Sequence, residues 1–86
     1  MEFEFDPNKS ETNRRKHGID FVVAQALWED PHRLLVPART EGEPRFMLIG
    51  KWSGRHWSAI FTVRGDKVRI VSVRRSREKE VSAYED

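Results

Sequence analysis

RHWSAIFTVRGDKVRIVSVR, the run from Arg55 to Arg74, decides the fold. Apolar and β-branched residues alternate on both sides of Gly65-Asp66, a two-residue connection of the Gly-X kind that suits a type II′ hairpin turn. With that turn, Arg64 lies opposite Lys67 and Thr62 opposite Arg69, and the same face continues with Ile60 against Val71 and Ser58 against Val73. The other face carries Trp57, Ala59, Phe61 and Val63 against Arg74, Ser72, Ile70 and Val68. That second face is nearly all apolar and should receive the helices. The first is mixed and concentrates Arg64, Lys67 and Arg69 at the turn end, so a basic surface is expected opposite a one-sided core.

Upstream, RFMLIGKW (Arg45 to Trp52) joins the hairpin through Ser53-Gly54 and extends the meander. RLLV (Arg33 to Val36) is a short strand, and Pro37 after it argues for a sheet edge. Residues 38–44, ARTEGEP, form a polar loop. FEFD (Phe3 to Asp6) alternates as a short strand should. Asp6 and Pro7 then open a helix, as N-cap and first helical residue, and Gly18 closes it after His17. Asp20 caps a second helix through FVVAQALWE, whose Phe21, Ala24 and Leu27/Trp28 share a face, with Ile19 stapled against Ala24. Asp30-Pro31 stops it. The tail RSREKEVSAYED is helix-compatible, and Val81 and Tyr84 are its docking groups. The expected class is α+β: a short N-terminal strand and two helices packed on a mostly antiparallel four-stranded meander, with a C-terminal helical tail.

A chain of 86 residues reads as one domain over 1–86. The apolar fraction of 37% is low beside 35% charged residues, but the Phe, Trp, Val and Ile at strand spacing argue against disorder. Net charge is only +2 although the sequence pI is about 9.3, and the basic residues are unevenly spread. Seven of them (Arg64, Lys67, Arg69, Arg74, Arg75, Arg77, Lys79) stand against Asp66 and Glu78 between Arg64 and Lys79. Lys9, Arg14, Arg15 and Lys16 stand against Glu11 in the first helix. Such surfaces attract phosphate backbones, although a solvated charged face is the ordinary alternative. There is no cysteine, hence no disulfide or thiolate chemistry. No apolar stretch nears the ~18–20 residues needed to span a membrane and no signal peptide pattern opens the chain, so a soluble cytoplasmic protein is expected.

DPNKSETNRRKHGIDF (Asp6 to Phe21) resembles the opening of the BrnT toxins of bacterial type II toxin–antitoxin systems. Asp6, Lys9, Asn13, Lys16, His17, Gly18 and Phe21 fill the positions of that family's Asp-x-x-Lys-x-x-x-Asn-x-x-Lys-His-Gly run and the Phe that follows. Arg45, Ile49-Gly50, TVRGDKVRIVSVRRSREKE and Tyr84 match further on; Ser76 departs where a small apolar residue is expected. The resemblance implies a small RelE-like domain that cuts RNA without a metal and blocks translation. It also implies a cognate ribbon-helix-helix, DNA-binding antitoxin (BrnA-type), held in a hetero-oligomer that reaches operator DNA through the antitoxin. A relative of the same fold group, ParE, poisons DNA gyrase by binding, which is the alternative activity.

Metal-free RNA cleavage needs a base for the 2′-hydroxyl, cations for the phosphorane and an acid for the leaving 5′-oxygen. His17 is the candidate acid/base, since an unperturbed imidazole titrates near ~6.5; capping the helix end is its structural alternative. Arg64 is the leading cation, able to fork onto two phosphate oxygens, unless it is a solvated cross-strand charge. Arg69 is a secondary phosphate contact on the same face. Arg74 should point toward the apolar face beside Trp57, as a packed or a projecting group. Glu80 is a candidate general base or a partner that orients Arg74 or Arg77, and Tyr84 is chiefly a docking group. Lys9, Asn13, Lys16 and His17 fall on one polar face of the first helix, with Lys9 and Lys16 as phosphate contacts. No cofactor is expected, and the His residues and acids show no zinc or two-metal spacing. Trp28, Trp52 and Trp57 read as core or antitoxin contacts, and at least one should be partly exposed.

Overall fold

The hairpin around Gly65-Asp66 lies within a five-stranded sheet. The computed structural model describes residues 1–39 and 42–86, so the middle of the loop expected over 38–44 falls outside the described residues. In chain order the elements are β1 (Glu2–Glu4), α1 (Pro7–His17), a 3₁₀ helix (Val23–Glu29), β2 (Leu34–Pro37), β3 (Phe46–Trp52), β4 (Arg55–Arg64), β5 (Lys67–Arg75) and α2 (Glu78–Glu85). The strand order is β1-β5-β4-β3-β2. β2 to β5 form the expected antiparallel meander, with β2 at an edge. The α+β class holds, but the sheet gains a strand: β1 pairs in parallel with β5, Phe3 beside Val68.

The hairpin register agrees with expectation only near the turn. Arg64 pairs with Lys67, Thr62 with Arg69 and Phe61 with Ile70. Between Ile60 and Phe61 the register slips, so Ile60 faces Ser72, Ala59 faces Val73, Ser58 faces Arg74 and Trp57 faces Arg75. Val71 is the extra residue of a β-bulge on β5. Strict alternation from Ile70 would have driven Ser72 and Arg74 into the core and left Val73 outside. The extra residue reverses that phase: Val73 becomes fully buried, and Arg74 moves to the face opposite the core. The expected placement of Arg74 beside Trp57 is therefore corrected. Arg75 takes that place, its guanidinium 5.6 Å from the Trp57 ring centroid.

The second helix is 3₁₀ rather than α. Ala24 and Leu27, three residues apart, share one line of the 3₁₀ helix, and Phe21 packs from the turn just before it. All three are buried, against Leu48, Trp57, Ala59, Phe61, Val68, Ile70 and Val73 of the sheet. Asp20 still acts at its start, its carboxylate accepting from the Val23 amide. Trp28 stacks edge-on between Phe3 and Phe61, with centroid separations of 5.1 and 5.3 Å, and so ties β1 to the core. Of the three tryptophans, Trp52 is 38% exposed. Gly50 lets the 3₁₀ helix approach: a Cβ there would meet the Leu27 carbonyl oxygen at 3.2 Å and Leu27 side-chain carbons at 3.3 Å.

α1 is polar, and two buried side chains hold it. Ser10 Oγ accepts from the Phe21 amide at 2.9 Å. Asn13 Nδ2 donates to the Ile19 and Val73 carbonyls at 2.8 and 2.9 Å, while its Oδ1 accepts from the Val73 amide at 3.1 Å. β1 covers β5 only as far as Arg69, so beyond it the Asn13 amide replaces a neighbouring strand at Val73. The helix is capped as expected, by Asp6 Oδ1 accepting from Asn8 and by Gly18 at φ 85° donating to the Arg14 carbonyl.

Candidate functional site

Asn13 places α1 alongside β5, and that placement opens a cleft of about 310 Å³. Its lining includes Lys9, Thr12, Lys16 and His17 from α1, with Val71 and Ser72 from β5 as the floor. Lys9 and Lys16 are exposed and His17 is half-buried. Among the described residues none of the three has an ion-pair or hydrogen-bond partner for its side chain. Two ammonium groups and an imidazole thus face an open depression uncompensated by a carboxylate.

The arginines singled out in the sheet are in a different condition. Arg64 forks onto Glu43 with bonds of 3.1 and 3.2 Å. Arg69 Nη1 donates to Glu4 at 2.9 Å, and Lys67 lies 3.9 Å from Glu2. The parallel pairing of β1 explains the last two, since it sets Glu2 beside Lys67 and Glu4 beside Arg69. Arg64 and Arg69 are absent from the α1 cleft lining. At ~3.3 Å per residue Arg69 is about 10 Å along the strand from Ser72.

Arg74 and Glu80 form a third cluster. The two terminal guanidinium nitrogens of Arg74, Nη1 and Nη2, donate to Glu80 at 2.8 Å each. Glu80 also accepts from Ser58 Oγ at 2.9 Å and from the Arg77 amide at 2.8 Å, the latter closing the first turn of α2. Ser76, which departs from the family pattern, adds a hydroxyl bond of 2.8 Å to Ser58. The Arg74 fork, opposed by burial and helped by the Arg77 amide and Ser58, holds the Glu80 carboxyl at about 2, down from the ordinary 4.5. A carboxylate so fully occupied has the geometry of a positioning group: it fixes Arg74 and the start of α2. Arg74 and Ser72, two residues apart on β5, share the face away from the core.

Tyr84 docks the other end of α2. Its hydroxyl donates to Asp30 Oδ2 at 2.6 Å, and its ring stands edge-on to His56 at 5.1 Å. Burial, followed by the bond to Asp30, pushes the Tyr84 phenol up to about 12. Burial opposes ionisation of Asp30, but the Tyr84 hydroxyl and the amides of His32 and Lys51 hold its carboxyl below the usual range. Among the described residues no group of three or more His, Asp or Glu side chains is placed to hold a metal ion. No helix there is long and apolar enough to cross a membrane.

Thr12, Val71 and Ser72 are cleft residues that sequence reasoning missed. The cue for the two on β5 was the phase break at Val71. A family model described as the ribonuclease toxin BrnT of type II toxin–antitoxin systems matches residues 5–80. The chain belongs to the BrnT family. No curated protein matches it. For a BrnT chain an RNA target and an antitoxin partner are implied. The matched span contains Lys9, Lys16, His17, Arg64, Arg69, Arg74 and Glu80. Tyr84 lies beyond it.

Proposed function

We propose that this BrnT chain is a metal-independent endoribonuclease that blocks translation, with the cleft between α1 and β5 as its reaction site. The observation that carries this reading is the trio Lys9, Lys16 and His17, which line one depression without carboxylate partners. In the proposed step His17 takes the proton of a ribose 2′-hydroxyl, whose oxygen attacks the adjacent phosphorus. The bond from phosphorus to the 5′-oxygen breaks, leaving a 2′,3′-cyclic phosphate and a 5′-hydroxyl. The lysine ammonium groups offset the phosphorane charge and supply a proton to the departing oxygen. Arg74, fixed by Glu80 on the same side of the sheet as Ser72, serves as a further phosphate contact. The antitoxin of this reading is of the ribbon-helix-helix, DNA-binding type.

RNA incubated with the purified chain in EDTA should be cut to fragments ending in 2′,3′-cyclic or 3′-phosphate. RNA that stays intact both with EDTA and with added divalent ions would end the ribonuclease proposal for this chain.

A further inference from the structure

Glu43, one residue after Gly42 in the β2–β3 connection, reaches across to β4 and occupies the Arg64 fork. A carboxylate there copies the bidentate geometry with which a guanidinium holds two phosphate oxygens. The fork is part of a larger row. Thr62 and Arg64 share one face of β4, and Arg69 lies directly opposite Thr62 on β5. Arg45 precedes Phe46, which pairs with Phe61, so Arg45 falls beside Thr62 on the other flank. Arg64's hydrogen bonds lower the Glu43 carboxyl most, burial opposes them, and the charges of Arg64, Arg45 and Arg69 lower it further. Beneath them Thr62 is 2% exposed, and its Oγ1 finds no hydrogen-bond partner among the described residues.

We infer that Arg45, Arg64 and Arg69 form a second phosphodiester-binding subsite, outside the α1 cleft, which Glu43 occupies as a built-in competitor until RNA displaces it. The inference rests on the proposed ribonuclease reading and extends its RNA path along β5. Exposure makes displacement feasible: the Arg64 and Glu43 side chains are 52% and 43% exposed. Exposed pairs of this kind are weak, a small barrier to exchange for another anion. RNA is the occupant argued for because β5 carries the row toward Ser72 in the lining of the α1 cleft, so one strand of phosphates could follow both.

The test is equilibrium binding of an uncleavable 2′-O-methyl oligoribonucleotide to the whole chain and to Glu43→Gln, across a range of salt. Removing the competing charge should tighten binding about 1.4- to 5-fold. It should also steepen the dependence of log K on log salt by about 0.7 if one further phosphate is engaged. The gain should vanish in Arg64→Ala/Glu43→Gln. Unchanged or weaker binding by folded Glu43→Gln would overturn the subsite while leaving the ribonuclease reading intact. A gain that persists without Arg64 would overturn it too. If Glu43→Gln instead alters affinity only for the antitoxin, the row is a protein contact and the RNA subsite is wrong. Failure of both proteins to bind RNA at any salt would remove the ribonuclease reading itself.

Discussion

The chain holds basic side chains in two contrasting states. In the α1 cleft Lys9, Lys16 and His17 stand without carboxylates among the described residues, whereas on the strands Arg64, Arg69 and Arg74 are each joined to a glutamate. An uncompensated cation in an open cleft exerts its full field on an approaching polyanion. A paired one must first exchange partners. Charge density along the sequence therefore misleads: the most basic stretch, Arg64 to Lys79, is largely neutralised in space. The sparser helix is the more exposed electrostatic surface.

Removing the cleft imidazole is expected to have the largest effect. His17→Ala should lower RNA cleavage by about 10²- to 10⁴-fold, the usual worth of a positioned acid/base group. Stability should stay within about 1 kcal/mol, since the lost interaction is a helix-end charge effect at most. Cleavage rates at saturating RNA, beside a thermal melt, separate the two. Undiminished cleavage would move the reaction out of the α1 cleft.

Next comes Asn13, which builds the cleft without entering the chemistry. Asn13→Ala leaves the Val73 amide and the Val73 and Ile19 carbonyls without their partner in a buried place. One buried unsatisfied group costs about 1–3 kcal/mol, so a loss of roughly 3 kcal/mol or more is expected. A melting-temperature fall of about 12 °C or more follows at ~4–8 °C per kcal/mol for a domain this size. Cleavage should fall as well at temperatures where the variant is still folded, because α1 is no longer registered on β5. A stable variant with intact cleavage would mean that α1 is held in some other way.

The two regions also differ in how far the sequence revealed them. α1, its caps and its polar face were legible because Asp6, Pro7 and Gly18 act within a few residues of one another. The hairpin register was legible from Gly65-Asp66 as far as Phe61 and Ile70, while the turn controlled it. It then failed at Val71, because a bulge is set by which side chains the core demands, here Val73 inside and Arg74 outside. Glu80 was anticipated as a partner of Arg74 or Arg77, but Glu4 and Glu43 were hidden for a similar reason. Glu4 lies 65 residues from Arg69 and Glu43 lies 21 from Arg64, distances over which only the fold decides who meets. The face shared by Phe21, Ala24 and Leu27 was legible, but it suits more than one helical winding, so the 3₁₀ form of Val23–Glu29 was not.

The Arg74–Glu80 pair should declare itself in acid. Its folded carboxyl sits at about 2 against an ordinary 4.5, a depressed value, so the stability it contributes is complete above about 4.5. That contribution is lost as pH falls toward 2, because the unfolded chain takes up the proton first. Melting temperature measured from pH 5 to pH 2 should therefore fall less steeply in Glu80→Gln than in the parent. Parallel slopes would mean the pair adds no proton-linked stability. Lys16→Ala, by contrast, should leave the acid limb unaltered, since Lys16 has no carboxylate partner among the described residues.

Arg64→Ala is expected to have the smallest effect on stability. Its bonds to Glu43 are solvent-exposed, and breaking such a pair costs little. The melting temperature should therefore barely change. Added salt should shrink the difference between the two proteins, because exposed charges are screened within a Debye length of ~8–10 Å. A larger, salt-insensitive loss would show that Glu43 and Arg64 brace the β2–β3 connection. Displacing Glu43 by a phosphate would then sacrifice that brace, and the sheet arginines would belong to the structure rather than to the RNA path.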